Sequence, residues 1–319
     1  MSMSAATARN LCISGEDEIL TGLCATPKRL PGRLLYDAVG TNLWQQITHL
    51  DAYYPARLEA ALLARHLAQI AAHVGPAARV IDPGAADVAK VRRLLEALPT
   101  PSSYVPVDVV PEQLDAIAQV LRRAMPQLVV QPVLADFTLP FTLPPPQKAW
   151  RTTLVFLPGT ALGSFEPSAA RAFLAMLGRV AGPERLLLVG ADATRDHDAL
   201  VRAYDDEHGV TAAFDKNVLA HLNRTRGATF DLDAFEHRAV WNRDTSRIEM
   251  QLVSKTQQIV RVGTTTVAFA PGEKLVTDLA YKHTPQAMQA LLASAGWRPR
   301  QVFTSDERPY RLWLCEPQP

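Results

Sequence analysis

The sequence predicts a doubly wound α/β fold that carries a second, inserted α+β domain. Between about residues 57 and 193, short apolar segments of strand length alternate with segments whose apolar residues recur at helical spacing. Between about 194 and 283 this alternation stops, and consecutive segments have the pattern of antiparallel strands joined by turns. Strands that alternate with helices form a parallel sheet through right-handed crossovers, so we expect the first region to be the core.

The core elements follow from this alternation. The first helix has Leu62, Leu63, Ile70 and Val74 on one face, and Pro111 marks the start of a later helix. The predicted core elements, in chain order, are helix 58–74, strand 80–81, helix 88–98, strand 104–109, helix 112–125, strand 128–133, strand 153–157, helix 168–180, strand 185–189, helix 284–295 and the strand pair 302–303 and 310–314.

The remaining segments predict the second domain. Residues 1–56 are expected to form short helices and loops, and 198–226 a helix with one polar face. The predicted strands of this region are 236–242, 247–254, 258–262 and 265–269. We therefore expect a core of 57–193 plus 284–319 and a second domain of 1–56 plus 194–283.

Composition excludes several classes of function. The chain has 319 residues with 33 basic and 32 acidic side chains, and no basic block indicates a nucleic-acid partner. No apolar run reaches the ~20 residues that span a bilayer. Three cysteines without a CxxC pair are typical of a reducing compartment. We expect a cytoplasmic protein without a membrane partner and, since zinc-type spacings and HExxH are absent, without a metal.

The loop after the first core strand has the pattern of an altered cofactor site. Strand residues 79–81 lead into Asp82, a turn with Gly84, and then Ala86 and Asp87 before the next helix. Such loops usually contain two or three glycines, because the backbone must approach the ligand closely. Here only Gly84 remains.

Further polar residues lie at the carboxyl ends of consecutive strands. Asp108 stands where an acid binds ribose hydroxyls, and Asp136 and Phe137 stand where a carboxylate and a ring contact a purine. Lys90 could meet a ligand carboxylate. Singly, each also fits an ordinary role: a strand-end turn for Asp108, a cap or turn for Asp136, a core ring for Phe137 and a solvated Lys90. Their common placement favours the cofactor interpretation.

The kind of cofactor follows from what the loop lacks. A dinucleotide would require the fuller glycine fingerprint, which is absent. S-adenosylmethionine (SAM) has one sugar, one base and an amino-acid tail, and it fits the residues present better.

Several segments resemble a known family. They are YDAVGTNLW at 36–44, YYP at 53–55, FLPGTALGSF at 156–165, AYDDEHGVTAAF at 203–214 and RIEM at 247–250. From about residue 17 to 315, their order and spacing resemble the histidine-specific, SAM-dependent Nα-methyltransferases of the ergothioneine pathway. The resemblance implies a class I methyltransferase core, an inserted substrate domain, and methylation of the α-amine of histidine or a related amino acid.

The resemblance also implies roles for individual residues. Tyr36, Tyr53, Gly159 and Tyr204 would surround the amino and carboxylate groups of the substrate, and Met250 would lie against the imidazole. Tyrosine hydroxyls can both donate and accept hydrogen bonds. Tyr36 and Tyr53 are the candidate catalytic residues, which would orient the amine and pass its proton to water. The implied cofactor contacts are Gly84, Lys90, Asp108, Asp136 and Phe137.

Three places depart from the family pattern. Ser164 replaces an asparagine near the substrate carboxylate. The family's Thr-Glu-x-Ser, which binds the imidazole, is Thr-Asp-Leu-Ala at 277–280, so Asp278 keeps the charge one methylene further back and Ala280 lacks the hydroxyl. The family's acid-x-Gly-Ser-Gly is the loop 82–86. We expect Ser164, Asp278 and Ala280 to contact the substrate and to alter its selection.

Two alternative functions stay open at this point. Ala86 and Asp87 stand where the methionine tail of SAM would lie, and a repositioned tail would allow aminocarboxypropyl transfer or cyclisation with release of methylthioadenosine. A non-catalytic paralogue that binds SAM or an amino acid is the other alternative. Methyl transfer is the leading expectation.

Overall fold

The computed structural model describes residues 18–318. Its helices and strands, in chain order, are α1 (Glu18–Cys24), β1 (Lys28–Arg29), α2 (Ala38–Thr48), α3 (Tyr54–Val74), β2 (Ala78–Pro83), α4 (Val88–Ala97), β3 (Ser103–Asp108), α5 (Pro111–Ala124), β4 (Val129–Val130), β5 (Val133–Leu134), β6 (Thr152–Leu157), α6 (Pro167–Ala181), β7 (Arg185–Asp192), α7 (His197–Tyr204), α8 (Val210–Arg226), β8 (Phe235–Asn242), β9 (Arg247–Ser254), β10 (Gln258–Val262), β11 (Thr265–Phe269), β12 (Lys274–Tyr281), α9 (Pro285–Ser294), β13 (Trp297–Thr304) and β14 (Tyr310–Pro317). Short 3-10 helices span Gly32–Leu35, Ala161–Ser164 and Leu232–Ala234.

Contacts divide the chain into two compact units. The core unit consists of Pro55–Thr194 and the residues from Tyr281 onwards. The inserted unit consists of the described residues up to Tyr54 together with Arg195–Ala280.

The core unit is built on one sheet with the order β13-β14-β7-β6-β2-β3-β4, and β5 also pairs with β3. Strands β2 to β7 are mutually parallel where they pair, whereas β14 is antiparallel to both β7 and β13. This order, with the final hairpin at one edge, is that of a class I methyltransferase and confirms the predicted fold class. The direction of strand order reverses at β2, whose carboxyl end is therefore where such sheets bind ligands.

The central strands are buried because helices cover both faces of the sheet. Every residue of β2 is buried, as are the last five residues of β6. On one face, Leu174 of α6 and Met288 of α9 pack against the sheet together with Trp297. The Trp297 indole Nε1–H donates to the carbonyl of Leu174 at 2.9 Å, which satisfies the polar edge of a fully buried ring.

The inserted unit contains a four-stranded sheet with the order β1-β12-β9-β8 and a separate hairpin of β10 and β11. Strand β8 alternates buried and exposed residues, as expected for a sheet with one face on a core. Edge-to-face ring contacts join Phe235 of β8 to Phe269 of β11, with centroids 5.3 Å apart.

Some elements differ from the prediction. The strand expected over 128–133 is two short strands, β4 and β5, since Pro132 between them has no backbone N–H for the ladder. The helix expected over 198–226 is two helices. They are separated because Asp206 accepts hydrogen bonds from the backbone N–H of Val210 and Thr211, and Gly209 adopts a φ of 71°.

Helix α2 is one of the short helices expected within residues 1–56, whereas strand β12 was not predicted from the sequence. Helix α2 begins at an Asp37 cap, whose carboxylate accepts from the Gly40 N–H at 2.8 Å. In strand β12 the charged Asp278 interrupts the sequence pattern of alternating apolar and polar residues that would predict a strand.

Candidate active site

Asp82 lies buried at the carboxyl end of β2. Its Oδ2 accepts a hydrogen bond from the Tyr104 hydroxyl at 2.7 Å. Burial raises the pKa of Asp82 to about 7, and the Tyr104 hydrogen bond and the Lys90 charge only partly oppose this shift. A buried carboxyl group with a raised pKa can accept a further hydrogen bond or pair with a positive charge.

Gly84 allows the loop after β2 to turn closely beneath an aromatic ring. Its φ is 74°, and its N–H donates to the carbonyl of Val107 at 2.8 Å. A β-carbon at this position would lie 3.1 Å from the Phe137 ring. The structure therefore brings Gly84 and Phe137 together. A backbone that only glycine adopts without strain, next to a half-buried ring, is typical of a loop that approaches a ligand closely.

The rest of this loop leads into α4. Ala86 is half-buried, and Asp87 is the N-cap of α4, since its Oδ1 accepts from the Lys90 N–H at 2.9 Å. Asp87 therefore has a structural role.

Asp108 and Asp136 lie at the ends of neighbouring strands and also form turns. Asp108 Oδ1 accepts from the Val110 N–H at 3.0 Å, and Asp136 Oδ1 accepts from the N–H of Thr138 at 2.9 Å and from its hydroxyl at 2.5 Å. The Ala135 N–H donates to the Asp108 carbonyl at 3.0 Å, which links the two turns. Burial raises the pKa of Asp108, while two backbone N–H groups partly offset it. Both carboxylates thus have turn roles, and their contacts with a cofactor stay a prediction.

Lys90 is paired with Glu59, a residue that sequence reasoning missed. The Lys90 Nζ lies 3.1 Å from Oε2 of Glu59, whose side chain is 1% exposed. Burial raises the pKa of Glu59, and Lys90 partly offsets the shift. Burial alone would lower the pKa of Lys90, but Glu59 and then Asp87 reverse the direction and raise it. The sequence signal that could have identified Glu59 is an acidic residue among the regularly spaced apolar residues of the helix predicted over 58–74.

Gly159 follows β6 and is held from two sides. Its φ is 81°, and its carbonyl accepts from the Tyr310 hydroxyl at 3.0 Å. Gly190 of β7 lies directly beneath it, since a β-carbon at Gly190 would be 2.2 Å from the Gly159 carbonyl oxygen. The Gly159 N–H also lowers the pKa of the buried Glu59 carboxyl. Ser164 is exposed at the end of Ala161–Ser164.

In the inserted unit, ring contacts connect the three tyrosines expected to bind substrate. Tyr36 contacts Trp44 at a centroid distance of 6.0 Å, Trp44 contacts Tyr53 at 5.4 Å, and Tyr53 contacts Tyr204 at 5.8 Å. All three contacts are edge-to-face, the favourable arrangement for aromatic pairs. Phe214 of α8 packs against Tyr36 at 5.3 Å. The tyrosines are thus parts of one aromatic cluster, although they are distant in sequence.

Side chains of helix α8 also contact residues on either side of Tyr36. Asn217 donates to Asp37 Oδ1 at 2.8 Å, and Arg224 pairs with the same carboxylate. His221 Nδ1 lies 2.8 Å from the Leu34 carbonyl. These α8 residues follow one another at spacings of three to four, so they share one face of the helix.

The residues expected at the imidazole lie on the neighbouring strands β9 and β12. Met250 is buried, and its carbonyl accepts from the Thr277 hydroxyl at 3.1 Å. Side chains alternate along a strand, so Asp278 and Ala280 share one face of β12. A β-carbon at Gly32 would lie 2.9 Å from Asp278 Oδ1, so the carboxylate packs closely against the turn that precedes Tyr36.

Within residues 18–318, no cluster of three or more His, Cys, Asp or Glu side chains is arranged to hold a metal ion. No helix in this part of the chain combines the length and the apolar character needed to cross a bilayer.

Comparison with known proteins identifies the family. Residues 15–317 match the family described as histidine-specific methyltransferase, SAM-dependent. The chain is 39% identical to the histidine N-alpha-methyltransferase of Mycolicibacterium smegmatis and 40% identical to that of Mycobacterium tuberculosis, in both cases over 93% of each chain. It is 26% identical to the 4-dimethylallyltryptophan N-methyltransferase of Epichloe festucae var. lolii over 91% of each chain. The resemblance in the sequence is confirmed: the chain belongs to the histidine-specific, SAM-dependent methyltransferase family and is a SAM-dependent methyltransferase.

Proposed function

We propose that this enzyme methylates the α-amine of histidine. The observation that carries the proposal is the aromatic cluster of the inserted unit, which joins Tyr36, Tyr53 and Tyr204 in one contiguous set of rings. A zwitterionic amino acid requires acceptors for its ammonium and donors for its carboxylate, and tyrosine hydroxyls supply both. The two mycobacterial relatives named for histidine support the choice of amino acid.

In the core unit, the residues at the strand ends would hold SAM. Asp108 would bind the ribose, Asp136 and Phe137 the adenine, and the loop of Asp82, Gly84 and Ala86 the methionine part, with Lys90 toward its carboxylate. Bound SAM supplies an electrophilic methyl group, which the amine nitrogen takes in one displacement as the carbon–sulfur bond breaks and S-adenosylhomocysteine leaves. The chain's own contribution is to position the reactants and to exclude water.

The amine must lose its proton before the displacement. Tyr36 and Tyr53 are the groups we assign to this step: their hydroxyls accept from the ammonium, orient it and pass the proton to water. The edge-to-face contacts with Trp44 hold both rings in defined orientations. Gly159, Ser164 and Tyr204 would bind near the amino and carboxylate groups.

The imidazole side decides which amino acid is accepted. Met250 would pack against the ring, and the Asp278 carboxylate would accept from a ring N–H. Ala280 offers no hydroxyl, so the site lacks one hydrogen bond that the family pattern provides. That difference favours, as a second candidate, a related amino acid with another cationic or donor-bearing side chain. We also propose a cytoplasmic reaction without a metal or nucleic-acid partner.

The decisive experiment incubates the full chain with SAM and with each amino acid or imidazole derivative separately, followed by mass spectrometry of both products. We expect histidine to gain the mass of one CH₂ group for each methyl group transferred and S-adenosylhomocysteine to accumulate. A different methylated amine would overturn the assignment to histidine but not the reaction. Methylthioadenosine as coproduct would indicate aminocarboxypropyl transfer or cyclisation, and binding without turnover would indicate a non-catalytic protein.

A further inference from the structure

A buried histidine contacts the backbone of Tyr204, one of the tyrosines that we propose bind the substrate. His237 of β8 has a side chain that is 2% exposed, and its two ring nitrogens each have a partner within the inserted unit. Nδ1 lies 2.6 Å from Oδ2 of Asp215 in α8. Nε2 lies 2.9 Å from the backbone carbonyl oxygen of Tyr204, the last residue of α7.

Both partners are hydrogen-bond acceptors, which decides the protonation of the ring. A carbonyl oxygen cannot donate, so Nε2 carries a proton. A carboxyl group is a stronger acid than an imidazolium, so the proton between Nδ1 and Asp215 also lies on the ring. His237 is therefore a cation in the folded protein. A buried ion requires an opposite charge nearby, and the fully buried carboxylate of Asp215 supplies it.

The cation also lies at the end of a helix. The last carbonyls of a helix have no partner within it, and positive charge is favourable there. His237 supplies both a donor and a charge to the carbonyl of Tyr204 at the end of α7. The ring of the same Tyr204 packs edge-to-face against Tyr53. A displacement of the Tyr204 backbone therefore moves a ring of the aromatic cluster.

We propose that the His237–Asp215 pair is a pH-sensitive positioning device that holds Tyr204 in place for substrate binding. This inference rests on the proposed function in that Tyr204 binds the amino acid. Loss of the Nε2 or Nδ1 proton removes one of the two hydrogen bonds and loosens the end of α7. The amino acid then binds more weakly at high pH, while the cofactor residues of the core unit are unaffected.

The groups that surround His237 set the pH range over which its ring loses a proton. Asp215 faces it from α8, and Asp205, at the start of the turn after α7, has its Oδ1 3.9 Å from Nε2. On the neighbouring strand β9, the residue in register is the apolar Leu252. Burial lowers the pKa of His237, but the Asp215 hydrogen bond and charge outweigh it, so the pKa is raised above the usual histidine value.

The first measurement tests the charge independently of any substrate. Long-range ¹H–¹⁵N spectra of the unliganded protein report whether both ring nitrogens of each histidine are protonated, with His237 assigned from a His237→Gln variant. We expect His237 to remain doubly protonated above pH 7, and Asp215→Asn to shift its titration toward acid. A His237 ring that is singly protonated at pH 6 would overturn the proposal, whatever the enzyme methylates.

The second measurement tests the link to Tyr204. Histidine binding to the full chain is measured by calorimetry from pH 6 to 9, with S-adenosylhomocysteine binding as the reference. We expect Asp215→Asn to weaken histidine binding at pH 8 at least fivefold and to move the pH at which binding is lost downward. His208→Gln, at an exposed histidine of the same unit, controls for the loss of a histidine.

The outcomes separate the two proposals. Unchanged histidine affinity in both Asp215→Asn and His237→Gln would overturn the positioning role. Equal loss of S-adenosylhomocysteine binding would show general damage and would also overturn it. Absence of histidine binding by the wild-type protein at every pH would instead refute the proposed substrate, and the spectra would still decide the charge of His237.

Discussion

The Lys90 ammonium lies 3.1 Å from Oε2 of the buried Glu59 carboxylate, so a cation expected to meet a ligand already has a protein partner. This relationship adds a structural role to the cofactor contact that we propose for Lys90. Its position is set by an acid on α3, and the Gly159 N–H lowers the pKa of that acid. Glu59 therefore links the loop after β6 to the helix after β2.

Replacement of Glu59 by glutamine tests this link. Glu59→Gln keeps the size of the side chain but removes the charge opposite Lys90, and we expect the free energy of unfolding to fall by about 1–3 kcal/mol. Urea titration measures the change. Glu96→Gln, in the exposed pair with Arg92, is the matched control and should change stability by less than about 0.5 kcal/mol. Equal effects of the two substitutions would contradict a special role for Glu59.

Asp82 should make stability fall with pH. Its pKa in the folded protein is raised to about 7 by burial, from 3.8, so the folded state binds the proton more tightly than the unfolded state. Through Asp82, the unfolding free energy should therefore decrease between about pH 4 and 7, and this contribution should level off above. In Asp82→Asn this decrease should be smaller by roughly 4 kcal/mol, at about 1.4 kcal/mol per unit of pKa.

Chemical denaturation of the unliganded protein at a series of pH values measures this difference. Asp115→Asn, at an exposed aspartate of α5, is the control for the substitution itself. Parallel pH curves for wild type and Asp82→Asn would refute the prediction.

Gly84 should be required for cofactor binding rather than for folding alone. Alanine at this position is strained by the positive φ and must also displace the Phe137 ring, which lies 3.1 Å from the new β-carbon. We expect Gly84→Ala to weaken S-adenosylhomocysteine binding at least tenfold in calorimetry. Gly75→Ala has a similar φ of 77° and no atom within 4 Å of the new β-carbon, so it isolates the backbone strain. If both variants bind equally well, the contact with Phe137 is unimportant for the cofactor.

Tyr53 should affect turnover more than binding of the cofactor. Tyr53→Phe removes the hydroxyl that we assign to the amine proton and keeps the ring contacts with Trp44 and Tyr204. We expect kcat to fall about 100-fold, the lower end for a positioned proton-transfer group, with S-adenosylhomocysteine affinity unchanged. Tyr54→Phe, at the neighbouring buried tyrosine, is the control. Unchanged turnover in Tyr53→Phe would remove Tyr53 from the mechanism.

Asp278 and Ala280 should set the preference for the amino-acid side chain. Loss of a charged hydrogen bond in Asp278→Asn should raise the histidine KM roughly 10-fold or more, since such bonds contribute about 1.5–3 kcal/mol. Ala280→Ser restores the hydroxyl of the family pattern and should lower KM roughly 2- to 10-fold. Steady-state kinetics measure both, with Asp244→Asn on the exposed β8–β9 turn as the control. Opposite or absent changes would place the imidazole elsewhere.

The core sheet was predictable because its strands are uniformly apolar and its helices strictly periodic. For the same reason the sequence alone placed Asp82, Asp108 and Asp136 at or just after strand ends. Glu59 could not be predicted, because its partner Lys90 is 31 residues away and only the fold brings them together. His237 could not be singled out from the sequence either, since nothing local distinguishes a neutral buried ring from a cation bound to Asp215.

Gly190 is a position away from the ligand at which substitution is restricted. It lies in β7, beneath the Gly159 carbonyl and the Tyr310 hydroxyl, and a β-carbon there would be 2.2 Å and 2.3 Å from their oxygens. A mutational library confined to ligand-contacting positions would never sample it. Yet any side chain at 190 must push the Gly159 loop outward. Changes in substrate range can therefore come from substitutions in the loops but not from this position of the strand that supports them.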